Sequence, residues 1–406
     1  MKLLSCVFIL CSFAVCSNAD SEPLFDVIIV PSITDKELDL WFYTPSEHGP
    51  KIPTVKTVYQ EQMFSLLMFS RVEPVDSQTE IDITYDLKVF SPSNTLSIDE
   101  KDIKYYKGEP VPSFLIPNSV LDIGFDKEEA FGKYRIEAVF TEHVSGRKYT
   151  RTSEVELIPF VRPKPFTSKE EYSDWIMNYY SRPNPVQSFA AILYCVETDN
   201  KWIEENYMSL AFHRRIFLDN PFLWEYYARM YETASEAEKK KMLLVAAIVP
   251  SDEKEKLFVP KIEASLMQLY KDFLKVRIPD TDKDLTTGVQ LDILWAEFFA
   301  TGKYQPIKRL VSSLALQKYE GILDKIKNKE IKELTEETEK QVMLEAVYRS
   351  AVWSLVSNCT GYDLVHEYCK TIYERESLSP EVKKSLGMVL AMVDIKKQDQ
   401  EKKKGD

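Results

Sequence analysis

Residues 291–315, LDILWAEFFATGKYQPIKRLVSSLA, set a single acid, Glu297, among Trp295, Phe298 and Phe299. A carboxyl buried among such rings keeps its proton to higher pH and could act as a general acid, because burial disfavours the charged form. Asp292 and Glu345 could join it in a hydrolase, since dispersed carboxylates need no local motif. His366 and Cys369, in HEYCK, stand one helical turn apart, a spacing that two metal ligands on a helix use. Asn358-Cys359-Thr360 is a glycosylation acceptor in a eukaryotic secretory route, and otherwise a turn between helices.

Each of these has a plainer reading. On a helical wheel Leu291, Leu294, Trp295, Phe298 and Phe299 share one arc. Glu297 falls to its side, as a flank residue reaching water or a neighbouring Lys, because burying it unpaired would be costly. HEYCK lacks the second His of a zinc-protease helix, and Cys369 sits with Val365, Tyr368 and Ile372 on an apolar stripe, which makes it a buried structural thiol. His48, His143, His213 and His366 are scattered. No Gly-x-Ser-x-Gly elbow or glycine-rich phosphate loop is present, and 11 glycines are too few for a fold built on phosphate-cradling turns. Tyr179-Tyr180 and Tyr226-Tyr227 could line a carbohydrate or peptide groove, with the outward ring of each pair as the surface candidate. No catalytic, cofactor-binding or metal-ligating set is assigned, and no cofactor is expected.

The elements that would position these residues change period along the chain. From Phe25 to about Ile158 the pattern is that of strands. In TEIDITYDLKVFSPSN, Ile81, Ile83, Tyr85, Leu87 and Val89 alternate with polar residues. GKYRIEAVFTEHVSGRKYTRTSEVELI predicts a hairpin, with Tyr134, Ile136, Ala138 and Phe140 inward, Ser145-Gly146 at the turn, and Val155 and Leu157 closing the return strand. FDVIIV, LDLWFY and EQMFSLLMFSRV bring the expected number to about seven or eight strands in two antiparallel sheets. The YDLKVFSP strand, a long connection, then Gly132-x-Tyr134 opening the last hairpin resemble secreted immunoglobulin-like or fibronectin-like modules. The resemblance implies a β-sandwich over residues 24–160, without an inter-sheet cysteine pair.

Pro159, Pro163 and Pro165 stiffen the joint, with a linker at 161–167. Thr167 or Ser168, followed by Glu170 and Glu171, starts the first helix. Residues 168–396 then carry 3.6-residue spacing that predicts about ten helices as an all-α array of hairpins, solenoid-like or a compact bundle. In the opening stretch Gly302 ends one helix, Pro306 takes the first position of the next, and Ile307, Leu310, Val311 and Leu314 form its apolar face. The echo of LWEYY in LWAEFF hints at repetition without a sustained period. Residues 397–406 read as a charged tail, a solvated helix end.

Met1-Lys2, an apolar run from Leu3 to Val15 and Ser17-Asn18-Ala19 form a cleavable export signal over residues 1–19. Lipidation at Cys16 is the weaker reading, because Phe13 and Val15 stand where a lipobox carries Leu and a small residue. No later run is long and apolar enough for a transmembrane segment in the mature chain. The net charge of −12 disfavours a nucleic-acid partner. Cys6, Cys11 and Cys16 leave with the signal, so Cys195, Cys359 and Cys369 remain, an odd count with at least one unpaired thiol or intermolecular bond. Bonding Cys359 to Cys369 looks difficult, since seven helical residues from Tyr362 rise about 10 Å unless the turn folds back. At 44% hydrophobic residues the chain can build two or more cores without disulfides.

These readings describe a secreted, periplasmic or envelope protein that binds a protein partner without catalysis. The alternatives are an extracytoplasmic hydrolase using Asp292, Glu297 or Glu345, and a carbohydrate-binding protein.

Overall fold

The structure, a computed structural model, describes residues 24–33, 43, 52, 54–75, 78–111, 114–116, 120–331 and 335–405. The expected signal with Cys16, His48, and LDLWFY apart from Tyr43 lie outside that set. A β region comes first and a helical region follows. Among the described residues the strands are β1 (Phe25–Ser32), β2 (Thr57–Val58), β3 (Phe64–Val72), β4 (Ile81–Phe90), β5 (Leu96–Gly108), β6 (Leu121–Ile123), β7 (Gly132–Glu142) and β8 (Lys148–Leu157).

Period-two patterning sets the faces. Along β4, Ile81, Ile83, Tyr85, Leu87 and Val89 are buried and the residues between them half-buried. β7 and β8 pair from Gly132–Leu157 to Thr141–Lys148, with Gly146 in the turn at φ 72°. The strand orders are β1-β3-β6 and β2-β8-β7-β4-β5, and buried residues of both sheets share one apolar cluster. Two features depart from expectation. β2 joins β8 in parallel, so the larger sheet is mixed, not purely antiparallel. The long connection after β4 contains β5, which pairs only with β4 and is mostly exposed. Its charged sequence, LSIDEKDIKYYKG, shows no alternation because an edge strand is kept soluble by charge.

After β8 the chain runs without regular structure to Ser168, whose hydroxyl accepts the Glu171 N–H and caps the first helix. The helices are α1 (Lys169–Asn178), α2 (Ser188–Cys195), α3 (Asn200–Glu205), α4 (Tyr207–Asp219), α5 (Leu223–Thr233), α6 (Glu236–Ile248) and α7 (Asp252–Leu257). They continue with α8 (Ala264–Phe273), α9 (Gly288–Thr301), α10 (Tyr304–Ser312), α11 (Ile322–Lys327), α12 (Glu336–Gly361), α13 (Asp363–Arg375) and α14 (Pro380–Gly405). None is long and apolar enough to cross a membrane. Sequence spacing underestimates their number because α3, α7 and α11 are too short to show an apolar stripe.

A second, larger apolar cluster fills the helical region. The α9–α10 corner turns on Gly302 at φ 65°, where a Cβ would lie 3.3 Å from Tyr180, so a side chain there is both strained and crowded. Leu291, Leu294, Trp295, Phe298 and Phe299 of α9 are buried, as are Ile307, Leu310 and Val311 of α10 and Leu314 just beyond it. Pro306 is the third residue of α10, not the first. Asn358 lies inside the last turn of α12, its amide donating to the Ser354 carbonyl at 3.0 Å, rather than in a turn between helices. α14 runs unbroken across position 397, so the charged tail continues a helix.

The two regions meet through aromatic rings. Phe160 stacks on Tyr226 at 4.3 Å and Tyr59 lies 6.2 Å from Phe222, while Lys127 pairs with Glu225 at 2.7 Å. One ring of the Tyr226-Tyr227 pair was expected to face outward, and Tyr226 does not do so. It is buried like Tyr227, because rings of the β region cover it.

Candidate functional site

A cleft of about 1080 Å³ opens in the helical region between α4, the end of α6, residues 274–282, α9 and the start of α10. In α4, Leu210, Phe212, His213, Ile216 and Phe217 turn into the core, which leaves Arg214 and Arg215 half-buried at the cleft wall. Lys254, Arg277, Lys303 and Arg309 add further positive charge, against the acids Glu255, Asp280, Asp282 and Glu297. Within a chain of net charge −12, this wall has a local excess of cations.

Neutral acceptors hold several of these cations. Arg309 donates from Nε to the Thr281 carbonyl at 3.1 Å and from Nη2 to the Asp282 carbonyl at 3.2 Å and to that of Lys283. Arg277 donates to the carbonyls of Leu274 and Val276. Buried Lys254 donates to the Val249 carbonyl at 2.8 Å and pairs with Glu255 at 3.1 Å. A carbonyl fixes a guanidinium without cancelling its charge, so Arg309 and Arg277 keep a positive field over the opening. Arg215 is more fully compensated, by Asp219 and by Glu297 at 3.7 Å.

Glu297 is therefore a flank residue, as its place on the wheel implies, with Arg215 rather than a Lys as its partner. Burial lifts its carboxyl pKa; Arg215, Arg214 and Lys303 oppose this, and the net shift is upward. The other expected acids do not join it on the cleft wall. Asp292 is exposed on α9 and does not line the cleft, although desolvation raises its carboxyl pKa. Glu345 is buried on α12, accepting the Gly321 N–H at 3.0 Å and the Leu323 N–H at 2.7 Å at the start of α11, and pairing with Arg349. Its place is structural.

His366 Nδ1 lies 3.3 Å from Lys397 Nζ, and its Nε2 is buried without a partner. Cys369 is fully buried, as its stripe implies, with its sulfur 3.5 Å from that of Cys359. The expected difficulty of bringing these two together is overturned. Only Tyr362 separates α12 from α13, and the chain folds straight back. Cys195, Cys359 and Cys369 are all thiols in this structure. Among the described residues, no three of His, Cys, Asp and Glu gather to hold a metal ion.

The sequence reading missed the cationic wall because its members come from separate segments. The available signal was Arg214-Arg215 inside the otherwise apolar AFHRRIFL. It also missed Trp353, 72% exposed on α12 despite its size.

No family model matches the sequence, and no curated protein matches it. Among solved structures the chain is similar to a family 123 glycoside hydrolase from Clostridium perfringens, a structure concerned with glycolipid glycan hydrolysis. The identity is 10% and the TM-score 0.23, over 41% of this chain and 33% of that one. So slight a likeness carries no argument about fold or activity.

Proposed function

We propose that this chain is an exported, non-enzymatic binding protein whose helical cleft takes an acidic segment of a protein partner. The observation that carries this is the cleft wall, where cations outnumber acids and Arg309 and Arg277 are tethered to backbone carbonyls rather than to carboxylates. Anchoring a cation before the ligand arrives lowers the ordering cost of binding. Complementary charge speeds encounter and rejects partners of like sign.

In the same reading the β region is an immunoglobulin-like sandwich and the helices form an array of hairpins. Tyr134, near the start of β7, supports the first part: its hydroxyl donates to the Ala130 carbonyl at 2.9 Å, the back-bond that such sandwiches use at this corner. The single-residue link between α12 and α13 supports the second.

The test is calorimetric titration of the purified chain with a hexaglutamate peptide and a hexalysine control. Hexaglutamate should bind, more weakly as salt rises, and hexalysine should not. Arg214→Glu should weaken the complex by about tenfold, or 1.4 kcal/mol. Equal binding of both peptides, or none, would overturn the reading, as would robust turnover in an assay of hydrolase substrates.

A further inference from the structure

We infer that Cys359 and Cys369 are a disulfide-forming pair that staples the α12–α13 hairpin, with Cys195 left as a free thiol. The sulfurs lie 3.5 Å apart and both residues are 0% exposed. A disulfide needs about 2.05 Å, so small rotations within the hairpin suffice. The backbone already holds the pair in place. The Tyr362 N–H donates to the Asn358 carbonyl at 2.8 Å and the His366 N–H to the Tyr362 carbonyl at 3.2 Å, across the one-residue link. Cys195 has other neighbours, Ser209 Oγ at 3.5 Å and His213 Nε2 at 3.8 Å.

The reaction is thiol–disulfide exchange with a disulfide oxidant, either a small molecule or an oxidoreductase. One cysteine thiolate attacks a sulfur of the oxidant, forming a mixed disulfide and releasing one thiolate. The second cysteine then displaces the other thiolate and closes the bond. The chain loses two protons and two electrons, and the oxidant leaves as two thiols. Leu355, Val365, Tyr368 and Ile372, near neighbours of the two cysteines along α12 and α13, are buried as well. Neither a large oxidant nor a thiolate is accommodated once the hairpin has packed, and the hydrogen bond with Cys359, together with burial, keeps Cys369 protonated. Oxidation therefore belongs to folding, before the core closes.

The staple also bears on the cleft. Tyr368, next to Cys369, donates to the Gly302 carbonyl at 2.9 Å, at the corner that precedes Lys303. The bond itself rests on the hairpin geometry and does not depend on the binding proposal.

A simple digest tests it, because trypsin cutting after Arg349 and Lys370 releases both cysteines in one peptide, 350–370. The full chain is refolded from its reduced, denatured state in a glutathione redox buffer, alkylated in denaturant and digested. The expected peptide carries no alkyl group and is lighter than the reduced form by two hydrogens, while Cys195 is alkylated. The oxidised chain should also melt above the reduced one, by roughly 5 °C. Two alkyl groups on peptide 350–370, or a cross-link from it to the Cys195 peptide, would overturn the pairing. An unchanged or lower melting temperature in the oxidised chain would overturn the stapling role.

Discussion

Cys195 Sγ lies 3.8 Å from His213 Nε2, the arrangement of a nucleophile and its base, yet both groups are held in their neutral forms. His213 has no exposed surface, its Nδ1 has no partner, and burial pushes its pKa down to about 3. Burial likewise raises the Cys195 thiol pKa, against the hydroxyls of Ser209 and Tyr172. A histidine that resists protonation cannot form the thiolate–imidazolium pair that cysteine catalysis needs.

The same burial sets a pH dependence. An unfolded histidine titrates near 6.5, so below that pH the unfolded chain takes up a proton that the folded chain refuses until about pH 3. Stability from this group is complete above the unfolded value and falls by about 1.4 kcal/mol per pH unit below it. In His213→Leu that component should vanish. Urea midpoints at pH 7, 6 and 5 would show a shallower decline for the variant, and parallel declines would refute the assignment.

What was legible in the sequence was whatever periodicity reports. Ile81 to Val89 fill one buried face because one apolar core imposes one period, whereas the Leu291-to-Phe299 arc was legible although Ile293 and Ala296 opposite it are buried as well. β5 was illegible because Tyr105 is its one buried residue and charged residues break any alternation along the rest. The Cys359–Cys369 approach depended on a one-residue turn, which helical rise alone does not encode. The expectation that one ring of Tyr226-Tyr227 faces outward failed because Phe160, a residue of a different region, stacks on Tyr226. The cleft needed tertiary structure to appear, since Arg215, Arg277 and Arg309 come from three separate segments.

Glu345 is a fully buried carboxylate whose removal should be costly. Burial alone would raise its pKa, but the Leu323 and Gly321 N–H groups and Arg349 outweigh that and hold it below the usual range. Glu345→Ala strands those two N–H groups and leaves Arg349 with only the Asp324 carboxylate at 3.5 Å, for a loss of about 3 kcal/mol. Because the folded pKa is depressed, the carboxylate's contribution is present above the unfolded value and is lost as pH falls through the folded one. Chemical denaturation of both proteins at pH 7 checks the cost, and a loss under about 1 kcal/mol would count against it.

Tyr134→Phe should keep both sheets and lose about 1–2 kcal/mol. The ring is fully buried and packs 4.2 Å from Phe125, contacts that Phe retains. Only the hydroxyl's bonds to the Ala130 carbonyl and to Glu129 Oε2 at 2.8 Å disappear. Circular dichroism with urea titration separates the outcomes. An unchanged midpoint would remove the corner bond from the case for an immunoglobulin-like sandwich.

Glu297→Gln separates binding from chemistry at the cleft. Its raised pKa means that the surroundings, Arg215 included, do not fully compensate the buried carboxylate. Removing the charge should therefore change stability by less than about 0.5 kcal/mol. It also takes one negative charge from a cationic wall, so affinity for hexaglutamate should rise by about fivefold, near 1 kcal/mol. The gain should shrink at high salt, where charges at the cleft mouth are screened. Weaker binding by Glu297→Gln would mean that the carboxylate's main effect is to position Arg215. Loss of a hydrolytic activity in the same variant would replace binding with catalysis as the purpose of the site.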